Sequence, residues 1–97
     1  MWVVHCQKQP YDVYIGRPSF WGNPYSHLIN SKTPYKVETR LDAIKAFRYM
    51  VNSDPDYIKL VKFHLKGKVL GCWCHPKPCH GDVLAQIANG ISLQKFY

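Results

Sequence analysis

The hydrophobic pattern of this 97-residue chain changes period several times, and each change marks an element. "WVVHC" (2–6) is β-branched and aromatic and reads as a strand. "QKQPYD" turns the chain, and "VYIG" (13–16) reads as a second short strand. From 17 to 38 the pattern dissolves among Pro18, Gly22, Pro24 and Pro34, with Asn23, Asn30 and several serines, which predicts a long irregular loop. The spacing then turns helical. Ala43, Ile44, Phe47, Met50 and Val51 recur at three- and four-residue intervals behind Thr39, whose "TRLD" is a capping-box-like start, so a helix is expected over 40–52. Asp54 and Pro55 open a second helix as cap and first helical residue, with Ile58, Val61 and Leu65 inward and Gly67 as its stop. "KVLGCWC" (68–74) reads as a buried strand, "HPKP" as a turn, and "CHGDVLAQIANG" (79–90) as a third helix ending at Gly90. The last seven residues, "ISLQKFY", read as an edge strand or a loosely packed tail.

This order predicts a single α/β domain over 1–97, a minimal Rossmann-like sandwich of two or three layers. It would hold a small mixed sheet of three to four strands and about three helices. Strands 13–16 and 69–74, separated by helices, should be parallel through a right-handed crossover. The first strand is expected beside 13–16 as an antiparallel neighbour. Parallel strands open their C-terminal ends on one edge, where ligands of open α/β sheets bind. There "GRPSFWGNP" (16–24) and "CHPKPCHGD" (74–82) should meet, although about sixty residues separate them.

Composition narrows the class. With 46% apolar and 14% aromatic residues the chain can bury a core. No apolar run approaches the roughly 20 residues of a membrane span, so no membrane partner is expected. The start "MWVVHCQK" lacks the character of a signal peptide, which points to the cytoplasm. In that reducing compartment four cysteines are expected as thiols or ligands rather than disulfides. The net charge of +7, from thirteen Lys or Arg against six Asp or Glu, tilts the partner toward an anionic ligand, nucleotide, nucleic acid or acidic protein. Lys59, Lys62, Lys66 and Lys68 are the densest group, and their spacing reads first as a solvated helix face.

Candidate chemistry gathers in the two loops. Arg17 offers a guanidinium fork for phosphate or carboxylate. Trp21 could stack on a base and Asn23 could bond a polar edge; equally, "WGNP" could be a turn around a packed tryptophan. The second loop admits three readings. Cys72, Cys74, Cys79 and His80 make a thiolate and imidazole set that zinc accepts, although C-x-C-x4-C-H lacks the paired C-x2-C spacing. Cys79, at a helix start, could be a reactive thiol with His80 as base and Asp82 as orienting acid, a catalytic set. Or Cys72 and Cys74 fill core beside Trp73 while Cys79, His80 and Asp82 cap the helix. We read the stretch first as shaping a pocket, with no cofactor expected and zinc as the ion its alternative would hold.

"VYIGRPSFWGNPY", "VETRLDAIKAFRYMV" and "LKGKVLGCWCHPKPCHGDVLAQIAN" resemble the small bacterial and phage family known as domain of unknown function 4326, over residues 13–89. Cys72, Cys79 and His80 also resemble the strand-end Cys and Cys-His helix start of domain of unknown function 488, with Gly81 and Cys74 departing from it. The resemblance implies a phage-encoded protein of the host cytoplasm, acting in nucleotide or nucleic-acid metabolism or in host takeover. The leading expectation is a protein that binds a nucleotide-like phosphorylated ligand, or a nucleic-acid end, through Arg17, Trp21 and Asn23. The alternatives are a protein that binds and modulates a bacterial host enzyme, and a zinc-stabilised nucleic-acid-binding module.

Overall fold

The computed structural model of the chain describes residues 2–17, 19–26, 35–75 and 77–90. The expected tail strand over 91–97 lies outside the described residues, as do residues 27–34 of the long loop and Pro18 and Pro76. The elements are β1 (Val3–His5), β2 (Val13–Tyr14), β3 (Tyr25–Ser26), β4 (Tyr35–Lys36), α1 (Arg40–Asn52), α2 (Pro55–Leu65), β5 (Leu70–Cys72) and α3 (His80–Asn89). This is a small α/β fold with a parallel three-stranded sheet and three helices among the described residues.

The helices begin and end where local chemistry dictates. Thr39 Oγ1 accepts the Asp42 N–H of α1 at 3.1 Å, and Asp54 Oδ1 accepts the Tyr57 N–H of α2 at 3.1 Å. Pro55 occupies the first turn of α2, where a missing N–H costs nothing. Gly90, at φ 63°, closes α3 in the left-handed region that favours glycine.

The sheet departs from expectation in one respect. Its order is β1-β5-β2, with both outer strands parallel to β5, so β1 is not the antiparallel neighbour of β2 and the sheet is not mixed. Trp2 O accepts Leu70 N–H at 2.8 Å on one edge of β5, and Gly71 O accepts Ile15 N–H at 2.9 Å on the other. To enter both edges in one direction, the chain must cross back over β5 between β1 and β2. Tyr11 lies on that crossing, and a Cβ on Gly71 would stand 2.6 Å from its ring. The missing side chain of Gly71 makes the crossing possible.

The register aligns Val3 with Leu70 and Val13, and His5 with Cys72. Val3, Leu70, Cys72 and Ile15 share one core with Phe47 of α1, Val61 and Leu65 of α2, and Val83 and Leu84 of α3. Fully burying a side chain of this size contributes roughly 1.5–3 kcal/mol, so this one shared core holds the helices on the sheet in two layers. Within 17–38 the structure adds a pair that periodicity missed: β3 and β4 are parallel, with the Tyr25 and Tyr35 rings stacked at 5.1 Å. Two-residue strands are too short to show a period. Lys59, Lys62, Lys66 and Lys68 are all exposed. Among the described residues no helix is long and apolar enough to cross a membrane.

Candidate functional site

Because β2 and β5 are parallel neighbours, the loops that follow them leave the same edge of the sheet. There they line one cavity of about 530 Å³, with Gly16, Arg17 and Asn23 on one side and Cys72 to Cys74, His75 and Lys77 to His80 on the other. His5, Tyr25 and, from the first turns of α1, Arg40, Ala43 and Ile44 complete the wall.

The start of α3 is the most constrained part of this wall. Cys79 is the N-cap, its Sγ accepting Gly81 N–H at 3.3 Å, while the Asp82 carboxylate accepts Cys79 N–H at 3.2 Å. This is a capping box with sulfur in place of a hydroxyl, and it neutralises exposed donors at the positive end of the helix. Gly81 is tightly enclosed: a Cβ there would lie 2.6 Å from Ile15 Cδ1.

His80 is buried and spends Nε2 on the Ile15 carbonyl at 2.8 Å. A carbonyl accepts, so the proton sits on Nε2 and the Nδ1 lone pair faces Cys79 Sγ at 3.6 Å. Its pKa falls from 6.5 to about 4, first because burial penalises the imidazolium. The bond to Ile15 opposes this, and the nearby Arg17 charge lowers it further. His80 is therefore neutral at pH 7.

The three residues predicted as a catalytic set have separate positions. Cys79 and His80 line the cavity and touch, whereas Asp82 is buried in the cap. Asn23 lines the cavity, but its amide is engaged: Nδ2–H donates to Ala43 O at 3.1 Å and Oδ1 accepts Tyr25 N–H at 2.9 Å. It staples the loop to α1. Trp21 is not brought to the cavity with Arg17. Its ring packs against the core, at 5.7 Å from Tyr57 and 4.9 Å from Phe20, beside a separate groove shared with Leu60 and His64. An indole beside this much apolar surface gains more by packing than by lining a wet cavity.

The cysteines form a cluster that could hold a metal ion. The Sγ atoms of Cys72, Cys74 and Cys79 all lie within 4.8 Å of one another. Alternation on β5 points Cys72 inward, and the chain's turn after Trp73 brings Cys74 round to the same place. The structure pairs Cys72 with Cys79 as a disulfide and leaves Cys74 free, where sequence predicted thiols or ligands throughout; folding brings the end of β5 against the start of α3. His80, predicted as the fourth ligand, is not part of the triplet; its Nε2–H goes to Ile15 and its Nδ1 faces Cys79 Sγ. Cys6 is a free thiol outside it.

Two cavity cations escaped sequence reasoning. Arg40, the first residue of α1, and Lys77, in the β5–α3 turn, line the same wall as Arg17. Among the described lining residues there is no carboxylate. Trp73, half exposed on the rim, donates its indole N–H to Tyr14 Oη at 2.7 Å and meets His5 edge-on at 5.8 Å. The signal for Arg40 was its place directly after a helix cap, at the end of the loop that begins with Arg17.

Residues 4–90 match the family described as Domain of unknown function (DUF4326). The chain is similar to the "Uncharacterized 12.4 kDa protein in nrdA-td intergenic region" of Enterobacteria phage T4. The two are 35% identical over 103 residues, covering 97% of this chain and 82% of that protein. No solved structure matches the chain.

Proposed function

The chain belongs to the DUF4326 family, and from the charge of its cavity we propose that it binds a phosphorylated, nucleotide-sized ligand where the β2 and β5 loops meet. One observation carries the reading: Arg17, Arg40 and Lys77 come from three separate segments to one cavity whose described lining holds no carboxylate. Three cations lining one cavity make its potential positive and favour an anionic occupant. Two of them are arginines, whose planar forks suit phosphate oxygens.

The cavity of about 530 Å³ lies within the range of small-molecule sites. In this reading the arginines and Lys77 hold the phosphate. The half-exposed ring of Trp73, rather than Trp21, is the surface on which a base stacks. Asn23 and His80 keep the two loops in place and do not contact the phosphate.

Calorimetry with a panel of nucleoside mono-, di- and triphosphates tests this. Wild-type protein should bind at least one of them, and Arg17→Ala should weaken that binding at least tenfold, about 1.4 kcal/mol. No heat from any nucleotide, or equal affinity in both proteins, would sink the proposal.

A further inference from the structure

We propose that Cys72, Cys74 and Cys79 form a three-thiolate site for a divalent zinc ion, with its fourth position open to the cavity. The three sulfurs lie within 4.8 Å of one another and all three residues line the cavity. Tetrahedral zinc places its thiolate ligands about 2.3 Å from the metal. Once a thiol reductant has supplied the two electrons that open the Cys72–Cys79 pair, side-chain rotation lets the three sulfurs surround an ion at that distance.

A second observation is independent of that proximity. Two main-chain donors already point at the sulfurs: Cys74 N–H at Cys72 Sγ, 3.2 Å, and Gly81 N–H at Cys79 Sγ, 3.3 Å. Such N–H groups hold a thiolate's charge and fix its direction, as outer hydrogen bonds do in metal centres. The Cys72–Cys79 disulfide in which the structure pairs two of these sulfurs is the rival, oxidised use of the same residues, and the metal site belongs to the reduced protein. The disulfide leaves Cys74 unexplained.

Charge accounts for the surroundings. Three thiols release three protons to solvent as the ion enters, so three thiolates and one divalent cation carry a net charge of −1. Arg17, Arg40 and Lys77 line the same cavity and offset it. With His80 outside the triplet, the remaining coordination position is left to water or to a small ligand from the cavity. The metal site shares these cations with the phosphate reading but does not require a phosphate to bind.

The full chain, purified under reducing conditions, should carry close to one equivalent of zinc. Replacement by cobalt should give a thiolate-to-cobalt charge-transfer band and the visible bands of a tetrahedral ion. Imidazole should shift those visible bands by entering the open position. Cys74→Ser, a near-isosteric change at a half-buried residue beside the core, should lower metal affinity at least tenfold, while Cys6→Ser keeps it. A reduced protein without zinc that gives no cobalt band would overturn the site. So would a Cys74→Ser variant with unchanged affinity, or bands insensitive to imidazole. Arg17→Ala should retain the cobalt band, which separates failure of this proposal from failure of the phosphate reading.

Discussion

His80 donates its Nε2–H to the Ile15 carbonyl across 2.8 Å, fastening the first turn of α3 to the end of β2. The bond closes the floor between the two functional loops. It also fixes the tautomer of a buried imidazole whose neighbours include Arg17 and Cys79. The site's architecture therefore depends on one neutral histidine.

That dependence gives a pH signature. The folded-state pKa of His80 lies near 4, below the ordinary 6.5, so between these values the unfolded chain binds more protons than the folded one. Stability from this group is fully present above about pH 6.5 and is lost as the pH falls toward 4, by roughly 3 kcal/mol in all. Urea titrations of reduced, chelator-treated protein at pH 7 and pH 4.5 should show it. Wild type should lose about 2–3 kcal/mol more than His80→Gln, whose amide can donate to Ile15 but cannot titrate. Equal losses would remove His80 from the account.

Asn23 should behave as a structural residue. Its bond to Ala43 O is buried and that from Tyr25 N–H part-buried, and removal leaves both main-chain groups without that partner. Asn23→Ala should cost about 2–3 kcal/mol of folding stability, measured by urea denaturation. A variant as stable as wild type but weaker in ligand binding would instead return Asn23 to the ligand.

Arg40 and Lys77 should act on affinity and leave the fold alone. Arg40→Ala and Lys77→Ala should each weaken binding of the best nucleotide by about 1 kcal/mol, with a shallower salt dependence. Lys62→Ala, on the exposed face of α2, should change neither. Calorimetry at two ionic strengths separates these outcomes.

Gly71 should tolerate no side chain while Tyr11 remains. With Tyr11 ring atoms at 2.6–2.9 Å from a Cβ, Gly71→Ala should cost about 1–3 kcal/mol. In a Tyr11→Ala background the same change should cost clearly less, a coupling that a double-mutant cycle reads directly. Additive effects would show that the crossing does not press on Gly71.

Local sequence determined the helices and their ends: Thr39, Asp54, Cys79 and Gly90 act within a few residues, so their spacing alone places the caps. It also located the meeting of the 16–24 and 74–82 loops, because helices between two strands impose a parallel pair. Tertiary structure decided the rest. Which edge of β5 receives β1 depends on a contact between Tyr11 and Gly71, sixty residues apart, that no local period encodes. Trp21 turns to the core and Trp73 to the rim because packing volume, not residue type, allots each indole its place. His80 becomes a tether between α3 and β2 through one carbonyl, that of Ile15, which only the folded chain brings within reach.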